Sequence, residues 1–277
     1  MEMRRPKIKM TPRMQGRPMS SPQKIRVAGV IPARLNSERL SGKVLRPLAG
    51  KAMLHHVYDA ARDCALLDEL WVATDAEAVR EYCVAHQIPV LMTAVTHRSG
   101  TERIREALEK IAADIFLNLQ GDEPLLTATH VEQLIAPFLH DPSVQVTTLK
   151  TALDASAVQN PNVVKVVTDC QENALYFSRA AIPYPRDGAA HPRFFKHLGL
   201  YGYRRQALLR YSTLSPTPLE QTERLEQLRF LENAIPIHVV ETQQDTIGVD
   251  TEEDWNALTR YLEDRAGQRR AGTEGRS

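Results

Sequence analysis

The sequence predicts an α/β protein: a three-layer, mainly parallel, Rossmann-like sheet with a smaller antiparallel lobe. Two observations carry that prediction. From Lys24 to about residue 142, short β-rich runs alternate with longer segments of helical periodicity, the pattern of a parallel sheet covered by helices on both faces. After about residue 143, extended runs follow one another directly, as antiparallel strands do. The 277 residues, 43% apolar and 25% charged, are enough for a sizeable core of ordinary globular composition.

Taken in order, RVAGVI (26 to 31), LWVAT (70 to 74), PVLMT (89 to 93) and DIFLNLQ (114 to 120) read as strands, being short, apolar and rich in β-branched residues. MLHHVYDAARDCALL, AEAVREYCVAHQ, TERIREALEKIAA and THVEQLIAPFL carry apolar residues at helical spacing and read as the covering helices. The first half is thus a series of right-handed βαβ units. VQVTTLKTAL, NVVKVVTD and ALYFSRAAIPYPR are extended, with DCQEN as the turn between the last two. YRRQALLRY and LEQTERLEQLRFLENA return to helical spacing, PIHVVET is a last strand, and EEDWNALTRYLEDR is a last helix. FFKHLGLYGY reads as lobe core and interface. No internal repeat is visible.

Charge is unevenly spread. The formal net charge is +1, yet residues 1 to 24 hold seven Lys or Arg against Glu2, about +6, and the tail from Asp264 adds about +2, which leaves the body acidic by about 7. An acidic body lacks the basic face that a nucleic-acid grip requires. Residues 1 to 23 read as a disordered basic leader, 24 to 263 as one domain with a smaller lobe at about 143 to 205 inserted, and 264 to 277 as a flexible tail. Cys64, Cys83 and Cys170 are odd in number and widely spaced, so they read as buried thiols of a reducing compartment. No run reaches the roughly 18 apolar residues of a membrane helix. The N-terminus lacks the apolar segment of a secretory signal, and a cytoplasmic enzyme is expected.

Several stretches carry chemistry. IPARLNSERLSGK, residues 31 to 43, leaves the first strand at its carboxyl end, where open α/β sheets bind ligands. Arg34, Arg39 and Lys43 there can surround a polyphosphate, although the spacing is neither that of a P-loop nor that of a dinucleotide fingerprint. On its own the stretch serves as well as a solvated basic loop. NLQGDEP, residues 118 to 124, ends a strand in Asp122, either a turn residue or a ligand for Mg²⁺ held jointly by carboxylates and substrate phosphates. GVDTEEDW offers Asp250 or Thr251 as a helix cap. SGTER offers Ser99 or Thr101 as a cap, or a helix N-terminus that with Arg103 meets an anion.

Taken together these stretches resemble the CMP-Kdo synthetases, the 3-deoxy-D-manno-octulosonate cytidylyltransferases, over about Lys24 to Glu263. The matching segments are IPARLNSERLSGKVL, ATDAEAV, HRSGTERI, LNLQGDEPLL, NPNVVKVV, ALYFSRAAIPY, HLGLYGYRR, LEQTERLEQLR and GVDTEEDW, in the family's order. The resemblance implies a nucleotide-diphospho-sugar transferase fold, a homodimer formed through the smaller lobe, Mg²⁺ dependence, and the reaction of CTP with Kdo to CMP-Kdo and pyrophosphate for lipopolysaccharide biosynthesis. It implies Arg34 and Lys43 as cations on the triphosphate, with Ala33, Ser37 and Arg39 in the same loop. Ser99, Gly100, Thr101 and Arg103 are then part of the nucleotide pocket and Gln120 a neighbour of the cytidine. Asp122 and Asp250 are then the metal-binding carboxylates, and Arg179, His197, Tyr201, Glu226 and Gln227 the sugar-acid side, where Arg179 or His197 supplies a cation for the sugar carboxylate.

One departure is visible: where the family's loop reads Arg-Leu-Pro-Gly-Lys, this chain has Ser41 in place of the proline, which removes a fixed φ and leaves the loop less preorganised. The alternative within the same chemistry is CMP activation of a sialic, pseudaminic or amino-substituted acid. A glycosyltransferase of similar fold would carry a DxD-type motif, and QGDEP supplies a single Asp.

Overall fold

The computed structural model describes residues 24–35, 40–97, 100–186, 193–249 and 251–262. The expected leader, the expected tail, and Ser37, Arg39, Ser99 and Asp250 lie outside the described residues. In chain order the first half comprises β1 (Val27–Pro32), the two-residue strands β2 (Pro47–Leu48) and β3 (Lys51–Ala52), α1 (Met53–Arg62), β4 (Glu69–Thr74), α2 (Glu77–Ala85), β5 (Val90–Met92), α3 (Gly100–Ala107), β6 (Ile115–Asn118) and α4 (Ala128–His140). The second half comprises β7 (Val146–Leu153), β8 (Lys165–Thr168), β9 (Ala174–Ser178), β10 (Phe194–Arg204), α5 (Arg205–Tyr211), α6 (Pro218–Glu223), α7 (Leu228–Glu232) and β11 (Ile237–Thr242). A last helix, α8, has its described part at 252 to 262.

Nine strands form one sheet in the order β11-β7-β10-β6-β1-β4-β5, with β8 paired to β10 and β9 to β8. β1, β4, β5 and β6 are mutually parallel, as the βαβ reading of the first half requires. β10 runs antiparallel between β6 and β7, and β11 is parallel to β7. The expected lobe at 143 to 205 is therefore smaller than its sequence suggests. β7 and β10 extend the main sheet, and the β8–β9 hairpin is the part that projects from it.

The sheet separates two apolar layers. On one face Leu54, Val57, Val79, Cys83, Leu134 and Phe138 pack from α1, α2 and α4. On the other Ile104, Ala107, Leu208, Leu228 and Phe230 pack from α3, α5 and α7. Each fully buried Leu or Phe contributes about 2 kcal/mol on transfer grounds, which is what anchors the strand ends that carry the site. Burial pushes the Cys83 thiol up to about 11. Cys64 is also buried, but Cys170 is exposed, a correction that follows from its place in the DCQEN turn.

A small third cluster, Leu40, Leu48, Met53, Val249, Trp255 and Leu258, joins α8 to the segment after β1. Arg46 reinforces it, with its guanidinium over the Trp255 ring at 4.3 Å and 2.7 Å from Glu252. Docking α8 here brings the chain at Val249 back to the first loop.

Candidate active site

The first loop leaves β1 at its carboxyl end and is closed by its own backbone. The Ala33 amide donates to the Ala73 carbonyl at 2.9 Å, and the Gly42 amide donates to the Leu35 carbonyl at 2.8 Å. Gly42 sits at φ 70°, in the left-handed region, and turns the chain into a 3-10 turn (Lys43–Leu45). That turn aims the Lys43 side chain, 7% exposed, inward, where its ammonium donates to Asp122 Oδ2 and to the Val249 carbonyl, both at 2.7 Å.

Asp122 follows β6, and the turn that presents it lies hard against the first loop: a Cβ on Gly121 would come within 2.9 Å of the Pro32 carbonyl oxygen. The Val249 amide donates to the Asp122 carbonyl at 3.0 Å, so the segment ahead of α8 is pinned to the same turn. Thr251 and Asp254 form a reciprocal cap of α8: each side chain accepts from the other's backbone amide, at 2.9 and 3.1 Å. Of the two caps the sequence allowed, Thr251 holds that role.

A cleft of about 780 Å³ opens between this corner and the projecting hairpin. Arg34, Gly100, Thr101, Gln120 and Asp122 line it from the first half of the chain, and Arg179, His197, Tyr201, Glu226 and Gln227 from the second. Ala33 and Lys43 are buried close by. The Gln120 amide donates at 3.4 Å to the Gly199 carbonyl, inside a bulge of β10 between Leu198 and Tyr201. That irregularity ties Gln120, just past β6, to the neighbouring strand β10, whose Tyr201 lies on the cleft wall.

Two expectations need correction. Arg103 does not line the cleft. It lies one turn into α3, fully buried, and its guanidinium bonds the Thr93 hydroxyl and, at 3.0 Å, Asp75 Oδ2. It ties α3 to the β4 and β5 ends instead of facing an anion.

His197 is no cation. Burial holds its pKa down to about 3, with the Lys196 charge pushing the same way. Its Nε2 lies 3.1 Å from the Thr148 hydroxyl, which also lies 2.8 Å from the Leu200 carbonyl and 3.1 Å from that of Leu198. The hydroxyl's one hydrogen goes to a carbonyl, so it accepts from Nε2–H and leaves Nδ1 as an acceptor. Burial also keeps the Tyr201 phenol far above its ordinary pKa, so it is neutral.

Residues that sequence reasoning missed also line the cleft. Lys196 donates to Asp245 Oδ1 at 2.8 Å and to the Thr246 carbonyl at 2.7 Å. Its signal was adjacency to His197 in a run not read as a strand. Glu123, beside Asp122, has its carboxyl pushed up to about 7 by burial and by the Asp122 charge. Asn160 and Asn162 come from the loop ahead of β8, and Arg224 from between α6 and α7. One long helix was expected over LEQTERLEQLRFLENA. It is broken by Arg224 at φ 53°, and the break delivers Arg224, Glu226 and Gln227 to the cleft.

A family model described as cytidylyltransferase matches residues 28–241. The 3-deoxy-manno-octulosonate cytidylyltransferase of Acidobacterium capsulatum is 52% identical over 241 residues, 87% of this chain and 98% of that protein. That of Koribacter versatilis is 46% identical over 241 residues, 87% of this chain and 92% of that protein. Among solved structures, a CMP:2-keto-3-deoxy-manno-octonic acid synthetase complexed with CTP superposes with a TM-score of 0.84 at 42% identity, over 87% of this chain and 99% of that one. A putative glucose-1-phosphate thymidylyltransferase from Bacillus anthracis, at 14% identity and a TM-score of 0.61, shares the fold. With sequence, fold and cleft in agreement, the chain belongs to the cytidylyltransferase family and, within it, to the 3-deoxy-manno-octulosonate cytidylyltransferases.

Proposed function

We propose that the chain transfers the cytidylyl group of CTP to Kdo, releasing pyrophosphate and giving CMP-Kdo for lipopolysaccharide biosynthesis. The observation that carries this reading is the meeting of Lys43, Asp122 and Val249, from three distant stretches, beside a cleft that Asp122 and Arg179 both line. In the reaction the anomeric hydroxyl oxygen of the sugar acid bonds to the α-phosphorus as the bond to the bridging β-phosphate oxygen breaks. The hydroxyl proton is lost. The protein's part is to hold two anions in line and to neutralise charge.

Arg34 faces the cleft and is assigned to the triphosphate, with Ser37 and Arg39 of the same loop. Lys43 holds the Asp122 carboxylate in place and adds positive charge behind it. Gly100 and Thr101, with Ser99, are assigned to the nucleotide side, and Gln120 to the cytidine end, where its link to the β10 bulge fixes its direction. Arg179 is assigned to the sugar carboxylate. Neutral His197 presents an acceptor suited to a sugar hydroxyl, and Tyr201, Glu226 and Gln227 complete that wall.

Mg²⁺ fits the donor set. The Asp122 carboxylate is partly exposed at the cleft. The exposed carboxylate suits an ion that would share its shell with substrate phosphates and would be held by Asp122, with Asp250 as the second assigned carboxylate. Such an ion supplies polarisation of the α-phosphate and a lower pKa for the attacking hydroxyl. A homodimer through the projecting hairpin and the segment that follows it is supported by the exposure of Leu175 and Tyr184, 62% and 84%. A cytoplasmic location is supported by the three free cysteines.

The test is pyrophosphate release from CTP with Kdo and, in parallel, with sialic, pseudaminic and amino-substituted acids. Kdo is expected to be turned over with the highest kcat/KM. A higher value for another acid would move the substrate assignment, and release with none would remove the activity.

A further inference from the structure

Behind the sugar-acid wall of the cleft stands a buried lysine that no part of the reaction uses. Lys165 lies on β8 and is 0% exposed, and its ammonium is surrounded by three backbone carbonyls. It donates to Asn160 at 3.1 Å, to Val163 at 2.7 Å and to Arg179. Its three N–H donors are thereby matched one to one. Burial lowers the Lys165 pKa, with the Glu223 charge opposing that shift. None of the three carbonyls belongs to regular structure: two sit in the loop that lines the cleft, and the third belongs to Arg179, just past the end of β9.

Glu223, the last residue of α6, grips the same place from the other side. Its carboxylate accepts from the Ser178 hydroxyl at 2.6 Å and from the Arg179 amide at 3.0 Å, while its carbonyl accepts from Arg179 Nε at 2.8 Å. Arg179 Nη1 donates to the Pro161 carbonyl at 3.0 Å, inside the loop that Lys165 gathers. The carbonyl, the amide and two of the three guanidinium nitrogens of Arg179 are thus committed. Nη2 is left without a partner among the described residues. A long side chain that would otherwise sample many rotamers is held in one direction, so little ordering is left to be done when an anion arrives.

We propose that Lys165 and Glu223 are positioning residues for the sugar-acid part of the site, clamping Arg179 and the loop of Asn160 to Val164 so that the Nη2 edge of the guanidinium is presented to the substrate carboxylate. Neither residue lines the cleft, so each acts through Arg179. The inference rests on the reading of this wall as the sugar-acid side.

The experiment compares wild type, Lys165→Met and Glu223→Gln, measuring kcat and the KM for each substrate separately, with thermal unfolding in parallel. Met keeps the length of the side chain but strands three carbonyls; Gln keeps the shape but provides one acceptor oxygen in place of two. Each variant is expected to raise the KM for the sugar acid about tenfold while that for CTP stays within about twofold. A loss of packing alone would lower Tm and move both constants together. An unchanged sugar-acid KM, or equal rises in both, would overturn the clamp, and Glu223→Gln decides the matter if Lys165→Met does not fold. Wild type that releases no pyrophosphate with any sugar acid would overturn the functional reading itself, in an arm that contains no substitution.

Discussion

Lys43 and Asp122, 79 residues apart in sequence, meet at 2.7 Å, with the ammonium buried and the carboxylate facing the cleft. Removing either partner leaves the other charged and misplaced. Asp122→Asn and Lys43→Met are each expected to lower kcat/KM by about a hundredfold or more, the scale on which preorganised charge acts in a site. Because the two act as a unit, the double variant is expected to be scarcely worse than either single one. Pyrophosphate release at saturating and limiting Mg²⁺ checks both points. An Asp122→Asn enzyme with wild-type turnover and an unchanged response to Mg²⁺ would remove the proposed assignment of Asp122 to a metal.

The turn that presents Asp122 depends on Gly121. A methyl there would sit 2.9 Å from the Pro32 carbonyl oxygen and 3.5 Å from Ile31 Cγ2, and the first of these is backbone that cannot rotate aside. Gly121→Ala is expected to force the β1 and β6 ends apart, at about 1–3 kcal/mol of stability. It should also lower kcat/KM, since Arg34 and Asp122 ride on those ends. Urea unfolding together with steady-state kinetics tests it; a variant of unchanged stability and activity would show that the two turns are not rigidly apposed.

Arg103, placed by the structure in the core, makes a different prediction. Its guanidinium is fully buried against Asp75 and Thr93, so Asp75→Ala leaves a buried cation without its counter-charge. The expected loss is about 3 kcal/mol, read as a shift of the urea midpoint at constant m-value. Asp75→Asn, which keeps a hydrogen-bond acceptor, should lose less.

What could be read from the sequence follows from what is local. The first parallel strands announced themselves as short apolar runs between amphipathic helices, and strand ends of a parallel sheet face a common crevice. This is why sequence alone puts Arg34 and Asp122 on one cleft, which both line. β10 was not legible as a strand because most of its length is buried on both faces, so the alternation that marks a half-buried strand is missing, and a bulge interrupts its register. The break between α6 and α7 hides for another reason. Arg224 adopts φ 53° without being glycine, a conformation set by surrounding contacts and not by local preference. The same holds for Arg103 and His197: a cation beside a helix start and a histidine among aromatics both look like ligand groups until burial is known.

That burial makes His197 a pH reporter. Its pKa is about 3 when folded and 6.5 when exposed, so between these values the unfolded chain binds the extra proton and stability rises with pH. The contribution is complete above pH 6.5 and is lost as pH falls toward 3. Glu123 works in the opposite sense. With a folded pKa of about 7 against 4.5 unfolded, the folded chain binds the extra proton, and its contribution is present below pH 4.5 and lost as pH rises through 7. The two slopes oppose each other between about pH 4.5 and 6.5. Each is limited to about 1.4 kcal/mol per pH unit for one proton. His197→Gln, which keeps a donor near Thr148, is expected to remove that rise and leave stability with a less positive slope than in wild type across the window. Glu123→Gln is expected to leave it rising more steeply than in wild type. Urea midpoints at half-unit steps from pH 4.5 to 7 test the pair; identical profiles for wild type and His197→Gln would mean that the imidazole protonates freely in the folded protein.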